Sequence, residues 1–139
     1  MDYKQRLQAC LNRVICDPDF TPAELDHWFC PDYVQLVNDQ QLDRAAFEQH
    51  LLALRQSLAR SEIRFVSLLA EGNRVHSLHR VRAWRHDGAQ IECKVSALFT
   101  FQGERLSHTD ELTCLLAGEP TDRDLGSRLT APPAPARSD

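Results

Sequence analysis

The stretch "LSHTDEL", Leu106 to Leu112, carries an imidazole and a carboxylate within a strand-like pattern. At a period of two, His108 and Asp110 share a side with Leu106 and Leu112, the side that a half-buried strand turns to its core. In "VHSLHRVRA" the same rule groups Val75, Ser77, His79, Val81 and Ala83, so a second imidazole, His79, faces the same way. A carboxylate that orients one imidazole beside another can move a proton to or from carbon or oxygen near neutral pH. His79, His108 and Asp110 are therefore the catalytic candidates. The plainer alternative is that the histidines are core residues satisfied by their neighbours, although a buried carboxylate still needs partners. A one-residue slip or a β-bulge would turn the whole set to water.

The elements that must position these residues follow from periodicity. Tyr3, Leu7, Leu11, Val14 and Ile15 recur at steps of three and four, which predicts an amphipathic helix over residues 2–16, ended by Asp17-Pro18. In "TPAE", Thr21 is a cap, Pro22 a first helical position and Glu24 the partner of a capping box, opening a short helix with Leu25, Trp28 and Phe29. "PDYVQLV" reads as a short strand closed by "NDQQ". Asp43 caps a third helix whose buried stripe is Phe47, His50, Leu51, Leu54 and Leu58. From Ile63 the period changes, and "IRFVSLLA", "RVHSLHRVRAW", "QIECKVSALFTF" and "RLSHTDELTCLL" read as four strands joined by the turns "EGN", "HDG" and "QGE". Ile91, Cys93, Val95, Ala97, Phe99 and Phe101 form the helix-facing side of the third of these. The fold class is α+β, with about three N-terminal helices packed on a curved antiparallel sheet. A single domain is expected over 1–127, followed by a flexible Pro/Ala-rich tail over 128–139.

The 139 residues suit one domain of average composition, with 42% apolar and 26% charged residues. No apolar run spans a membrane, and "MDYKQRLQACLNR" lacks the apolar region of a secretory signal, so a cytoplasmic address is expected. The formal net charge of −4 makes nucleic acid an unpromising partner. Cys10, Cys16, Cys30, Cys93 and Cys114 are odd in number and never spaced Cys-x-x-Cys, against a disulfide framework or a zinc knuckle. His76 and His79 face opposite ways on a strand, so no metal site is expected, and Cys30 has no evident base for a nucleophile's role. On the side away from the helices, Leu78, Trp84, Leu98 and Leu115 lie among Arg80, Arg82, Lys94 and Glu92, a face suited to a second copy of itself.

"FCPDYVQLVND", "LDRAAFEQHLLALRQSL" and "FTFQGERLSHTDEL", in this order within residues 3–118, resemble the nuclear transport factor 2-like superfamily and its bacterial SnoaL-like members. The resemblance implies a cystatin-like, cone-shaped barrel in which a bent sheet wraps a long helix, with a pocket between them and dimers formed through the sheet. It implies a small hydrophobic or cyclic ligand, no cofactor, and the chemistry of an isomerase, cyclase or dehydratase. SnoaL-like cyclases tend to read Tyr-x-Gln-His where this chain has "YVQL", so Leu36 takes the place of a pocket histidine. A dehydratase-like set of His79, His108 and Asp110 is then the nearest analogue, with Trp28, Tyr33, Phe47, His50 and Phe99 as ligand-binding residues. The alternative is a non-catalytic ligand-binding or dimeric interaction module.

Overall fold

The structure, a computed structural model, describes residues 1–118. The last part of the expected domain, 119–127, and the expected tail, 128–139, lie outside the described residues.

Helix α1 (Tyr3–Leu11) begins at Asp2, whose carboxylate accepts the Gln5 amide at 3.1 Å, and it runs on into a π-helical turn (Asn12–Cys16). Leu7, Cys10, Leu11 and Val14 are the buried side of this pair. A helix end leaves carbonyls without partners. Here Arg55 supplies them: Nη1 donates to Val14 O at 3.0 Å and Nη2 to Asp17 O at 2.7 Å. The capping box forms as expected, with the Thr21 amide donating to Glu24 Oε2 at 2.8 Å, and a 3₁₀ turn (Pro22–Glu24) leads into the single-turn helix α2 (Leu25–Trp28).

Strand β1 (Phe29–Val37) is followed by a second strand, β2 (Gln40–Leu42), which occupies part of the stretch expected as its closing turn. Asn38 and Asp39 both have positive φ, 48° and 68°, which is the signature of a type I′ hairpin turn. Asp43 caps helix α3 (Arg44–Ser57) through the Ala46 amide at 2.8 Å. Then come the four long strands β3 (Leu58–Glu71), β4 (Arg74–Arg85), β5 (Gln90–Gln102) and β6 (Arg105–Ala117). They make the expected antiparallel meander, within a six-stranded sheet of order β2-β1-β6-β5-β4-β3. One pair, β1 with β6, runs parallel, so the sheet is mixed.

The helices cover one face of this α+β fold, and the faces of β4 and β5 sort as their periods predict. Val75, Ser77, His79 and Ala83 are buried, as are Ile91, Cys93, Val95, Ala97, Phe99 and Phe101. Strand β6 does not follow its period. Phe101 pairs with Leu106 but Thr100 pairs with His108, so Ser107 is an extra residue, a β-bulge. Beyond it Thr109, Glu111, Thr113 and Leu115 pair with the inward residues Phe99, Ala97, Val95 and Cys93. His108 and Asp110 lie opposite Thr100 and Leu98, on the outer face. The expectation that these two face the helices is corrected by the bulge. Leu115 is corrected likewise: it packs beside Ala83, Ile91 and Cys93 on the inner side, and Leu112, 65% exposed, takes its place outside.

Among the described residues no helix is long and apolar enough to cross a membrane, and none of the five cysteines forms a disulfide.

Candidate functional site

Between α3, the π turn and the inner face of β1, β4, β5 and β6 lies a cavity of about 110 Å³. Its walls are mostly apolar: Phe29, Phe47, Leu51 and Phe99 line it, with Val14 and Ile15 from the π turn. Phe29, Tyr33 and Phe47 pack against one another with ring centroids 4.7–4.8 Å apart, which fixes that wall as a unit.

One side of the cavity is polar, and the parallel pairing of β1 with β6 builds it. Gln35 stands beside Thr109, and Leu36 and Val37 beside Asp110 and Glu111. The Tyr33 Oη lies 3.0 Å from Gln35 Oε1 and 2.7 Å from Thr109 Oγ1. Gln35 Nε2 donates to Glu111 Oε1 at 2.7 Å, and Thr113 Oγ1 donates to Glu111 Oε2 at 2.6 Å. A connected line thus runs from Thr109 through Tyr33 and Gln35 to Glu111 and Thr113. Glu111 is half-buried and lines the cavity, and protein surrounds its carboxyl. Burial pushes that carboxyl up to about 7, against the opposing pull of the Thr113 and Gln35 donors. Glu111 is consequently poised between its two protonation states at neutral pH. Burial also drives the Tyr33 phenol well above its ordinary value, so it stays protonated and remains a donor.

His50 reaches the cavity from α3 and His79 from β4. His79 is 4% exposed, its Nδ1 is 2.8 Å from Ser77 Oγ, and its ring tilts against Phe65 at 5.7 Å. Burial, and then the charge of His76, push His79 down to about 4. It is neutral at pH 7 and can serve as a hydrogen-bonding or basic group.

Of the residues singled out from sequence, Tyr33, Phe47, His50, His79 and Phe99 line this cavity. His108 and Asp110 do not, for the reason given by the bulge. Trp28 is also not on the wall: it packs at the edge of the core with the Arg6 guanidinium 4.1 Å above its ring. Glu111, Gln35, Thr109 and Thr113 were missed. Strict alternation from Leu106 assigns Thr109, Glu111 and Thr113 to solvent, and polar residues at every second position look at home there. The only local signal for the reversal is Ser107, whose hydroxyl can tie off a bulge.

No family model matches the chain. Among solved structures, a protein of Acidithiobacillus ferrooxidans provisionally described as a polyketide cyclase superposes with a TM-score of 0.67 at 18% identity, covering 92% of this chain and 95% of that one. IdmH of Streptomyces antibioticus, also provisionally a polyketide cyclase, gives 0.68 at 12% identity over 81% and 92%. AclR of Streptomyces galilaeus, provisionally a hydroxylase, gives 0.62 at 17% over 88% and 96%. At such identities the likeness is one of architecture alone: an α+β fold of the nuclear transport factor 2-like type, with helices packed on a curved sheet. Uncharacterised protein C11D3.04c of Schizosaccharomyces pombe is 39% identical over 97 residues, 70% of this chain and 75% of that protein. The chain belongs to the family of that yeast protein.

Proposed function

We propose that the protein binds a small, mainly apolar molecule in the cavity between α3 and the sheet, with Glu111 as the acid–base group of the site. The observation that carries this reading is the Glu111 carboxyl, enclosed in an apolar cavity and held by Gln35 and Thr113. A buried carboxyl is costly to keep, so its place on the cavity wall argues for use on a ligand. With a pKa near neutrality it can take a proton from a bound molecule or return one, which is the chemistry of a cofactor-free isomerase, cyclase or dehydratase. Neutral His79, on β4 of the same inner sheet face, is the second polar group. This Glu/His pair replaces the His/Asp set expected from the strand period.

The experiment is a screen of small cyclic and branched compounds by protein-observed NMR. Shifts should concentrate at Phe47, Phe99, Thr109 and Glu111, and turnover of a hit, where present, should disappear in Glu111→Gln. Hits that move only surface resonances would refute the pocket reading.

A second reading concerns the outer face of the sheet. Leu36, Asp110, Leu98, His76 and Leu69 form one row across β1, β6, β5, β4 and β3. Leu112 and Leu78 extend the apolar surface into the neighbouring row, and Leu69 and Leu112 are 68% and 65% exposed. We infer that two copies of the chain associate through this face. Leu98→Glu is then expected to give a monomer in analytical ultracentrifugation. A wild-type protein that already sediments as a monomer would exclude the dimer.

A further inference from the structure

The polar line in the cavity has a direction. Gln35 Oε1 can only accept, so the single Tyr33 proton goes to it and Thr109 donates to the phenol oxygen, 2.7 Å away. Gln35 Nε2 and Thr113 Oγ1 then donate to the two Glu111 oxygens. Every hydroxyl and amide of the line gives its proton toward Glu111.

Donors that converge on a carboxyl are arranged for its charged form. Burial opposes that form, and the cavity supplies little against it. Among the described residues no lysine or arginine lines the cavity. The other titratable groups that face it are Tyr33 from β1, which is neutral, His79 from β4, held neutral by burial, His50 from α3 and Cys93 from β5. A positive charge is the piece that would complete the arrangement. The aromatic side chains of Phe29, Tyr33, Phe47 and Phe99 line the same space, and aromatic rings attract a cation as well.

Resting on the reading of the cavity as a ligand site, we propose that its ligand is a small apolar amine whose ammonium group pairs with the Glu111 carboxylate. The remainder of the ligand is a compact hydrocarbon. A cavity of about 110 Å³ is somewhat smaller than the ~150 Å³ that takes a benzene ring, so it suits roughly four to five heavy atoms in all, the nitrogen included. Binding of the ammonium form stabilises ionised Glu111. At pH values below the Glu111 midpoint it therefore expels a proton, and affinity rises with pH until the carboxyl is ionised in the free protein.

Cyclobutylamine and cyclobutanol, alike in shape and unlike in charge, separate the possibilities in NMR titrations at about pH 8 and about pH 5.5. The amine is expected to bind the wild-type protein about tenfold more tightly than the alcohol at the higher pH, with the preference shrinking at the lower. Glu111→Gln should abolish the preference and keep the alcohol's affinity, which also shows that the variant is folded. Thr113→Val, which removes one donor to the carboxylate, should reduce the preference without abolishing it. Equal affinities in the wild type, or a preference that survives Glu111→Gln, would overturn the amine and leave the pocket standing as a site for neutral molecules. If neither compound shifts the cavity resonances, the pocket reading itself fails.

Discussion

Ser107 Oγ donates to the backbone carbonyl of Thr100 at 3.1 Å, across the point where β6 carries one residue more than β5. This bulge decides which acid the protein turns inward. Leu106 precedes it facing the core, His108 and Asp110 follow it facing out, and Glu111 arrives on the cavity wall. The irregularity also bends the strand, as bulges do, and helps the sheet curve around α3.

His108 and Asp110 should therefore be dispensable for the pocket. The double variant His108→Ala, Asp110→Asn is expected to keep ligand affinity within about twofold and thermal stability within about 0.5 kcal/mol, the range of ordinary surface changes. A large loss of ligand affinity, measured by NMR titration, would return these two residues to the site.

Stability against pH offers a second check, because two buried groups pull in opposite directions. Glu111 rises to about 7 on folding from an ordinary 4.5, so its favourable contribution is complete below about pH 4.5 and is lost as pH rises toward 7. His79 falls to about 4 from 6.5, so its contribution is complete above about pH 6.5 and is lost as pH falls toward 4. Each effect is of the order of 3 kcal/mol, and in the wild-type protein they largely cancel between about pH 4.5 and 6.5. Urea unfolding of Glu111→Gln should show stability dropping on acidification, and that of His79→Asn should show it rising. Parallel slopes in both variants would contradict the burial assigned to these two groups.

The donors to Glu111 should set its titration. Gln35→Leu and Thr113→Val each remove a hydrogen bond that favours the carboxylate, so each is expected to raise the Glu111 midpoint above the wild-type value. Carboxyl ¹³C shifts followed through a pH titration give the midpoint directly. A fall in either variant would mean that the protein donors do not control the charge. Tyr33→Phe tests the far end of the line: it leaves Gln35 and Thr109 short of a partner and should cost about 1–3 kcal/mol in urea unfolding.

Much of the architecture could be read along the chain. The stripe of Phe47, His50 and Leu51 on α3, the alternation from Ile91 to Phe101, and the caps at Thr21 and Asp43 are local facts. Each depends on residues a few positions apart, whose period matches the period of the element they form. That is why the α+β class, the helices and the meander follow from composition and spacing, and why His79 could be assigned to the inner face of β4.

The site depended on relationships between distant parts of the chain. A type I′ turn at Asn38-Asp39 made the edge hairpin, the parallel pairing of β1 with β6 brought Tyr33 and Gln35 beside Thr109 and Glu111, and one extra residue at Ser107 exchanged the faces of β6. Side-chain alternation repeats faithfully only while the ladder is regular, and a bulge is settled by pairing with the neighbouring strand, which no local pattern records. The residue types alone determined a barrel-like core with an acid and imidazoles near its closing strand. Only tertiary pairing chose Glu111 over Asp110 as the carboxyl within it.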